Sequence, residues 1–353
     1  MNLPFFSMHK AEIASHFVTL GEKPFRAAQL LDWVYQKKVV DAALMSSFSK
    51  EQRALISEKF NMEQLKLSKK EMSTDQQTDK YLWELSDGKL VESVLICAPD
   101  RRTVCVSSQV GCNARCAFCA SGKQGLMRNL TTAEIVEQVY KIDQELSLKG
   151  ERVSHVVFMG MGEPLDNYEN VIAAVKILLD PECLGLSQRR ITISTVGVVE
   201  GIERFTKEQL KVNLVLSLHA PNQHIRKKII PYARKYPLED VLTAMENFGK
   251  MSGRDTTYEY ILIDGINDSV ENAEELAVLL KYAQCTVNLI PYNPVDGLHL
   301  KRPSRESVAQ FMQVLQNRKI NATQRYTKGK DIAAACGQLA LKTREETALL
   351  QLV

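Results

Sequence analysis

Apolar residues gather in six short runs of a length that suits buried strands: TVCVSS (103–108), VSHVVFM (153–159), ITISTV (191–196), VNLVLSL (212–218), YEYILI (258–263) and TVNLI (286–290). Between and after them the apolar period turns helical. In TTAEIVEQVYKIDQEL, Ile135, Val139, Ile142 and Leu146 recur at three- and four-residue spacing and share one face, and Thr131 with Glu134 forms a capping box that fixes the start. NYENVIAAVKILL, PLEDVLTAMENFGKM, SVENAEELAVLLKYA and SRESVAQFMQVLQN repeat the pattern, and VVEGIERF is a shorter version of it. Strands buried on both faces and alternating with helices predict a parallel sheet, either open and doubly wound or a barrel that stops at six units.

The two ends read differently. Residues 1–75, with PFRAAQLLDWVYQKKVV and FSKEQRALISEKF, carry amphipathic helical patterns without strands and predict a small helical domain. Residues 76–100 predict a connecting hairpin, KYLWELSDGKLVESVLI, turned at Asp87 and Gly88. Residues 101–345 hold the alternating units, closed by a last helix in KRPSRESVAQF and a strand, loop and helix in TQRYTKGKDIAAACGQLA. A chain of 353 residues, 45% hydrophobic, is long enough for one large domain and a smaller one.

A net charge of +3 does not by itself announce a nucleic-acid binder, but the positive residues cluster: Arg226, Lys227 and Lys228; Arg234 and Lys235; Arg325, Lys328 and Lys330. Each run reads as a solvated face or as a surface for phosphates. No run of about eighteen apolar residues occurs, and the first residues lack the order of a signal peptide, so a cytoplasmic protein with no membrane partner is expected. Eight cysteines in a reducing compartment argue against a disulfide framework and for metal or redox chemistry.

Ligands of parallel α/β folds collect at the carboxyl ends of the strands. Following the runs in order, those ends carry GCNARCAFCASG (111–122), GMGEP (160–164), Ser194 with Thr195, Ser217 with His219, and Asn293. The thiols of Cys112, Cys116 and Cys119 suit a four-iron cluster that leaves one iron open for a small molecule. Zinc completed by His155 or His219 is the alternative, although zinc ligands usually pair as CxxC. Phe118, just before the last cysteine, strengthens the cluster reading.

CxxxCxxC with that aromatic, after the first strand of six units, resembles the radical S-adenosyl-L-methionine (radical SAM) enzymes. The resemblance implies that the methionine amino and carboxylate groups chelate the open iron, and that one electron cleaves the sulfonium to a 5′-deoxyadenosyl radical. It also implies that the backbone of Gly162 and Glu163 lies near the methionine amino group, and that Ser194, Ser217, Leu218, His219 and Asn293 contact the rest of the cofactor.

RTVCVSSQVGCNARCAFCASG, VVFMGMGEPLDNY, RRITISTVGVVEGI, LSLHAPN, LIPYNP and AACGQLA together resemble the RlmN/Cfr family of RNA adenine methyltransferases, RlmN type, over nearly the whole chain. The implied fold is a partial (β/α)6 barrel with a small amino-terminal helical domain that holds RNA. The implied reaction is methylation of C2 of adenosine in 23S rRNA and in tRNA, using a 4Fe-4S cluster and two molecules of S-adenosyl-L-methionine per turnover, with electrons from a flavodoxin-type protein. Cys336 would carry the methyl group as S-methylcysteine. Cys105 would deprotonate the ring and form a transient disulfide with Cys336, and Glu92 would accept a proton near the base. A radical route suits this target, because the amidine carbon of adenine has no lone pair with which to attack a sulfonium. Outside that pattern Cys105 and Cys336 read as small buried hydrophobes, like Cys97, Cys183 and Cys285, and Glu92 as an ordinary strand glutamate. Methylation at C8, as in the Cfr branch, and a metal-stabilised RNA-binding module without catalysis remain the other readings.

Overall fold

A computed structural model describes residues 3–325 and 328–339; the expected domain end at 345 lies outside them. Ten strands form one sheet: β1 (Leu65–Met72), β2 (Thr78–Leu85), β3 (Leu90–Ala98), β4 (Arg101–Cys105), β5 (His155–Phe158), β6 (Ile191–Thr195), β7 (Asn213–Ser217), β8 (Thr256–Leu262), β9 (Cys285–Pro291) and β10 (Asn321–Gln324). Their order in the sheet is their order in the chain. β1 to β4 pair antiparallel, and β4 to β10 run parallel.

Three helices precede the sheet: α1 (Lys10–Thr19), α2 (Arg26–Leu31) and α3 (Lys50–Lys59). The parallel strands are joined by α4 (Thr132–Ser147), α5 (Tyr168–Leu179), α6 (Val199–Lys207), the pair α7 (Gln223–Ile229) and α8 (Leu238–Ser252), α9 (Val270–Leu279) and α10 (Arg305–Asn317). Six strand-helix units therefore follow one another, and the open sheet ends at β10. The expected capping box starts α4: the Glu134 amide donates to Thr131 Oγ1 (3.2 Å) and the Thr131 amide to Glu134 Oε2 (2.8 Å). Ile135, Val139 and Ile142 are fully buried on its inward face, each worth roughly 1.5–3 kcal/mol against exposure. The helical amino terminus docks on the same helix through Phe6 and Tyr140 (ring centroids 4.7 Å apart), and the Tyr140 hydroxyl donates to the Val34 carbonyl (3.0 Å). Among the described residues no helix is long and apolar enough to cross a membrane.

Three features depart from expectation. First, β1 is a strand inside a stretch read as purely helical. In LKLSKKEM only Leu65 is buried, so the alternation is too thin to read, and pairing with β2 supplies the strand. Its lysines also protect a sheet edge. Second, the hairpin β2–β3 turns as expected at Gly88 (φ +76°), but it is no separate connector: β3 pairs with β4 and extends the main sheet. Third, the described part of the closing segment, 328–339, is a chain of turns and not a helix, because Gly329, Ala333 and Gly337 all take positive φ.

Candidate active site

The loop after β4 begins with a short antiparallel pair, Gln109–Gly111 with Leu126–Asn129, which brings its ends together. A Cβ on Gly111 (φ +77°) would lie 1.9 Å from the Gly125 carbonyl oxygen, so only glycine closes this neck. Inside it the amides of Cys112 and Cys119 donate to the carbonyls of Gly125 (3.1 Å) and Cys116 (3.1 Å). Cys112, Cys116 and Cys119 thereby face one cavity, together with Phe118 and Ser121.

The other walls come from strand ends. Gly160, Gly162 and Glu163 follow β5, Ser194 and Thr195 end β6, and Ser217 and His219 end β7. A Cβ on Gly162 (φ +107°) would come within 2.7 Å of Ser108 Oγ, which leaves the GMGEP turn no alternative residue. The Glu163 carboxylate accepts from the amides of Leu165 (3.0 Å) and Val196 (2.8 Å), stapling that turn to the end of β6, and burial pushes its carboxyl up to about 7. The hydroxyls of Ser194 and Ser217 meet across β6 and β7 at 3.2 Å. His219 accepts from the Ile261 amide at Nδ1 (3.0 Å), so the proton sits on Nε2, and the ring meets Phe118 edge to face. Burial, aided by Arg226, lowers this imidazole to about 3 and keeps it neutral.

Cys105, at the end of β4, and Cys336, in the closing turns, line the same cavity, both as free thiols. Burial pushes Cys105 up to about 12. Cys336 stays open to solvent at its surface, yet desolvation by the surrounding protein raises its thiol too; Arg325 opposes that rise and Glu259 adds to it. Arg325 and Glu259 form an ion pair in the cavity wall. The closing turns are fastened to the cysteine loop: the Ala120 amide donates to the Gly337 carbonyl (2.8 Å) and Ser121 Oγ to that of Leu339 (2.6 Å).

Three expected site residues stand outside the cavity wall. Leu218 is fully buried behind it and bonds through its amide to the Glu259 carbonyl (3.0 Å). Asn293 lies behind Cys336, donating to its carbonyl (3.5 Å) and accepting from Arg302 (3.2 Å). Glu92 is buried on β3 and pairs with Lys80 (3.4 Å); it shares a strand face with Val94 and Ile96, which do line the cavity. One surface expectation is corrected. Arg226, read as part of a basic run, is fully buried, because the helical period of α7 turns it inward with Ile229 while Lys227 and Lys228 stay exposed. Sequence reasoning missed Glu259 and Arg325 as cavity residues; the signal for Glu259 was a charge inside the apolar run YEYILI.

The donor set fits an iron-sulfur cluster. Burial pushes Cys112 up to about 12 and raises Cys116 and Cys119, so unliganded they are thiols; bound iron reverses this by stabilising thiolates. Among the described residues no three or more His, Cys, Asp or Glu converge on one point, as a single zinc ion would require, whereas a cluster takes thiolates spread around it. His155, the other candidate zinc ligand, sits at the amino end of β5 against Ser154, away from the cavity.

Comparison with known proteins agrees with this geometry. Residues 106–277 match the radical SAM superfamily, and residues 2–62 match the ribosomal RNA large subunit methyltransferase N-terminal domain. A probable dual-specificity RNA methyltransferase RlmN 2 of Protochlamydia amoebophila is 60% identical over 325 residues, 92% of this chain and 91% of its own. A probable dual-specificity RNA methyltransferase RlmN of Bacillus licheniformis is 44% identical over 341 residues, covering 97% and 94%. The crystal structure of a radical SAM methyltransferase from Sphaerobacter thermophilus matches with a TM-score of 0.93 at 42% identity, over 96% of this chain and 99% of that one. A loop of three thiols at the carboxyl end of a six-unit partial barrel, an RlmN-type amino terminus and relatives of this identity over nearly the full length lead to one conclusion: the chain belongs to the RlmN family of radical SAM RNA methyltransferases, which work with a 4Fe-4S cluster and S-adenosyl-L-methionine.

Proposed function

We propose that this enzyme methylates C2 of adenosine in 23S rRNA, in the peptidyl-transferase region, and in tRNA, 3′ of the anticodon, with Cys336 as methyl carrier and Cys105 as its partner. The observation that carries the reading is that these two thiols, far apart in the chain, line the cavity that also holds the cysteine loop. Cys112, Cys116 and Cys119 would hold the cluster, while Gly162, Glu163, Ser194, Ser217 and His219 surround the space beside it. Leu218 and Asn293 would act from behind the wall. When bound, the cluster and S-adenosyl-L-methionine supply a methyl group and a hydrogen-abstracting radical, two cofactor molecules serving each turnover.

The protein's own part is binding, carrying and proton transfer. Cys336 takes a methyl group on sulfur and presents it to the base. Once the S-methyl carbon, less one hydrogen, is joined to C2 of adenine and the adduct has given back the one electron that cofactor cleavage consumes, Cys105 accepts the C2 proton. Its sulfur then attacks that of Cys336, the carbon-sulfur bond breaks with its electron pair on carbon, and the Cys105 proton passes to that carbon, which leaves a methyl group on adenine. Cytoplasmic thiols reduce the disulfide and reset the pair. Glu92 would serve as a proton acceptor near the base, and unchanged kinetics in Glu92→Gln would remove it from the scheme. The exposed Lys227, Lys228 and Arg234 offer phosphate contacts, and a base splayed from its stack can reach the cavity. A small flavodoxin-type protein would deliver the electrons.

Nucleoside mass spectrometry tests the assignment. The reconstituted enzyme is given methyl-labelled S-adenosyl-L-methionine, a reductant, and a 23S rRNA fragment or tRNA. Labelled 2-methyladenosine in both RNAs is expected; 8-methyladenosine, or cofactor cleavage with no labelled RNA, would overturn it.

A further inference from the structure

Arg226 is the largest fully buried side chain among the described residues. Its guanidinium donates from Nη2 to the Val196 carbonyl (2.5 Å) and from Nε to that of Leu218 (3.3 Å), while Nη1 is buried without a partner. No carboxylate among the described residues forms an ion pair with it. A cation withdrawn from water without a counter-ion is among the costliest arrangements a protein can hold. Burial lowers this guanidinium to about 10, so it stays charged at neutral pH.

Arg226 stands behind the cavity wall: its carbonyl partner Val196 lines the cavity, and Leu218 lies between Ser217 and His219, which line it too. The loop bearing Cys116 is tied to the helix of Arg226 by the Ala117 amide, which donates to the Ile229 carbonyl (2.9 Å). Cys112, Cys116, Phe118 and Ile229 pack in one apolar cluster. Three thiolates bring negative charge into this packing, and reduction of a cluster adds one electron with no compensating proton. Net charge around a cluster is one of the factors that set its potential, and the low dielectric keeps a nearby cation effective.

We propose that Arg226 is the built-in counter-charge of the iron-sulfur cluster, raising its reduction potential so that it can be reduced. The proposal rests on Cys112, Cys116 and Cys119 holding that cluster. Two backbone carbonyls fix the guanidinium in position, and its buried Nη1 has no partner among the described residues.

The test compares wild type with Arg226→Met, which fills the space of the stem without charge, and Arg226→Lys, which keeps the charge. Each is reconstituted anaerobically and assayed for iron and labile sulfide. The cluster is then titrated with dithionite, without S-adenosyl-L-methionine, and followed by electron paramagnetic resonance. The expected result is a lower midpoint potential in Arg226→Met and a restored one in Arg226→Lys. Should Arg226→Met fail to load a cluster, Arg226→Gln replaces it as the neutral variant. Equal potentials in all variants, with only the melting temperature or the cofactor affinity changed, would overturn the proposal by making Arg226 a strut or a cofactor ligand. A wild type that holds no iron or sulfide would instead overturn the cluster assignment beneath it.

Discussion

The cysteine loop and the thiol wall share one cavity but are assembled differently. The loop takes its shape from its own neighbours: Gly111 and Gly125 close its neck, and Cys112, Cys116 and Cys119 follow within one turn of chain. The wall is drawn from four separate places, with Cys105 from β4, Glu259 from β8, Arg325 after β10 and Cys336 from the closing turns. A local loop suits a resident cofactor, which needs ligands in fixed relation. The dispersed wall suits the two thiols that change state in the proposed reaction, since it sets the opposed charges of Arg325 and Glu259 beside them.

The largest effect that separates the two regions should come from Cys112→Ala, which should prevent loading of the iron-sulfur cluster, read as loss of bound iron and sulfide, and with it abolish both cofactor cleavage and RNA methylation. Cys336→Ala should abolish methylation while cleavage of the cofactor continues; normal turnover there would erase the distinction. Gly111→Ala must move the Gly125 carbonyl and adopt an unfavourable positive φ, costing about 2 kcal/mol or more. A thermal melt should register this as a clear fall in Tm, and an unchanged Tm would mean the neck yields easily.

Arg325→Met should act more gently, and on pH dependence. Arg325 holds the Cys336 thiol down against desolvation, so its loss raises that thiol further. In the proposed reaction methyl transfer to Cys336 needs the thiolate and should rise with pH; in the variant this rise should move to higher pH, slowing transfer at neutrality by about tenfold for each unit moved. A coincident profile would show that the wall does not tune the thiol. The smallest change should be Lys123→Ala. Its ammonium donates to the carbonyls of Asp296 (2.9 Å) and Gly297 (3.0 Å) from an exposed position, and a loss of about 1 kcal/mol or less is expected in denaturant melts.

The same contrast explains what the amino-acid sequence reveals. The first six of the seven parallel strands, β4 to β9, and the Thr131–Glu134 box are legible because burial on both faces and helix capping write themselves as period and spacing. The cysteine loop is legible because its ligands are close in the chain. β1 is not, since LKLSKKEM owes its extension to β2, and neither are the closing turns, where AAA reads as helix while Ala333 adopts positive φ (+49°). The Arg325–Glu259 pair joins distant elements and leaves no periodic trace. Arg226 left one that a charge count obscured: three residues before Ile229 on α7, it belongs to the inward face.

The division of labour between loop and wall is tested most directly on the protein itself. Wild type and Cys105→Ala are incubated with methyl-labelled S-adenosyl-L-methionine and reductant but no RNA, and their peptides are then read by mass spectrometry. The account predicts one labelled methyl on Cys336 in both and none on any other cysteine. A Cys336 that stays unlabelled in wild type, or a label carried by another cysteine, would contradict it.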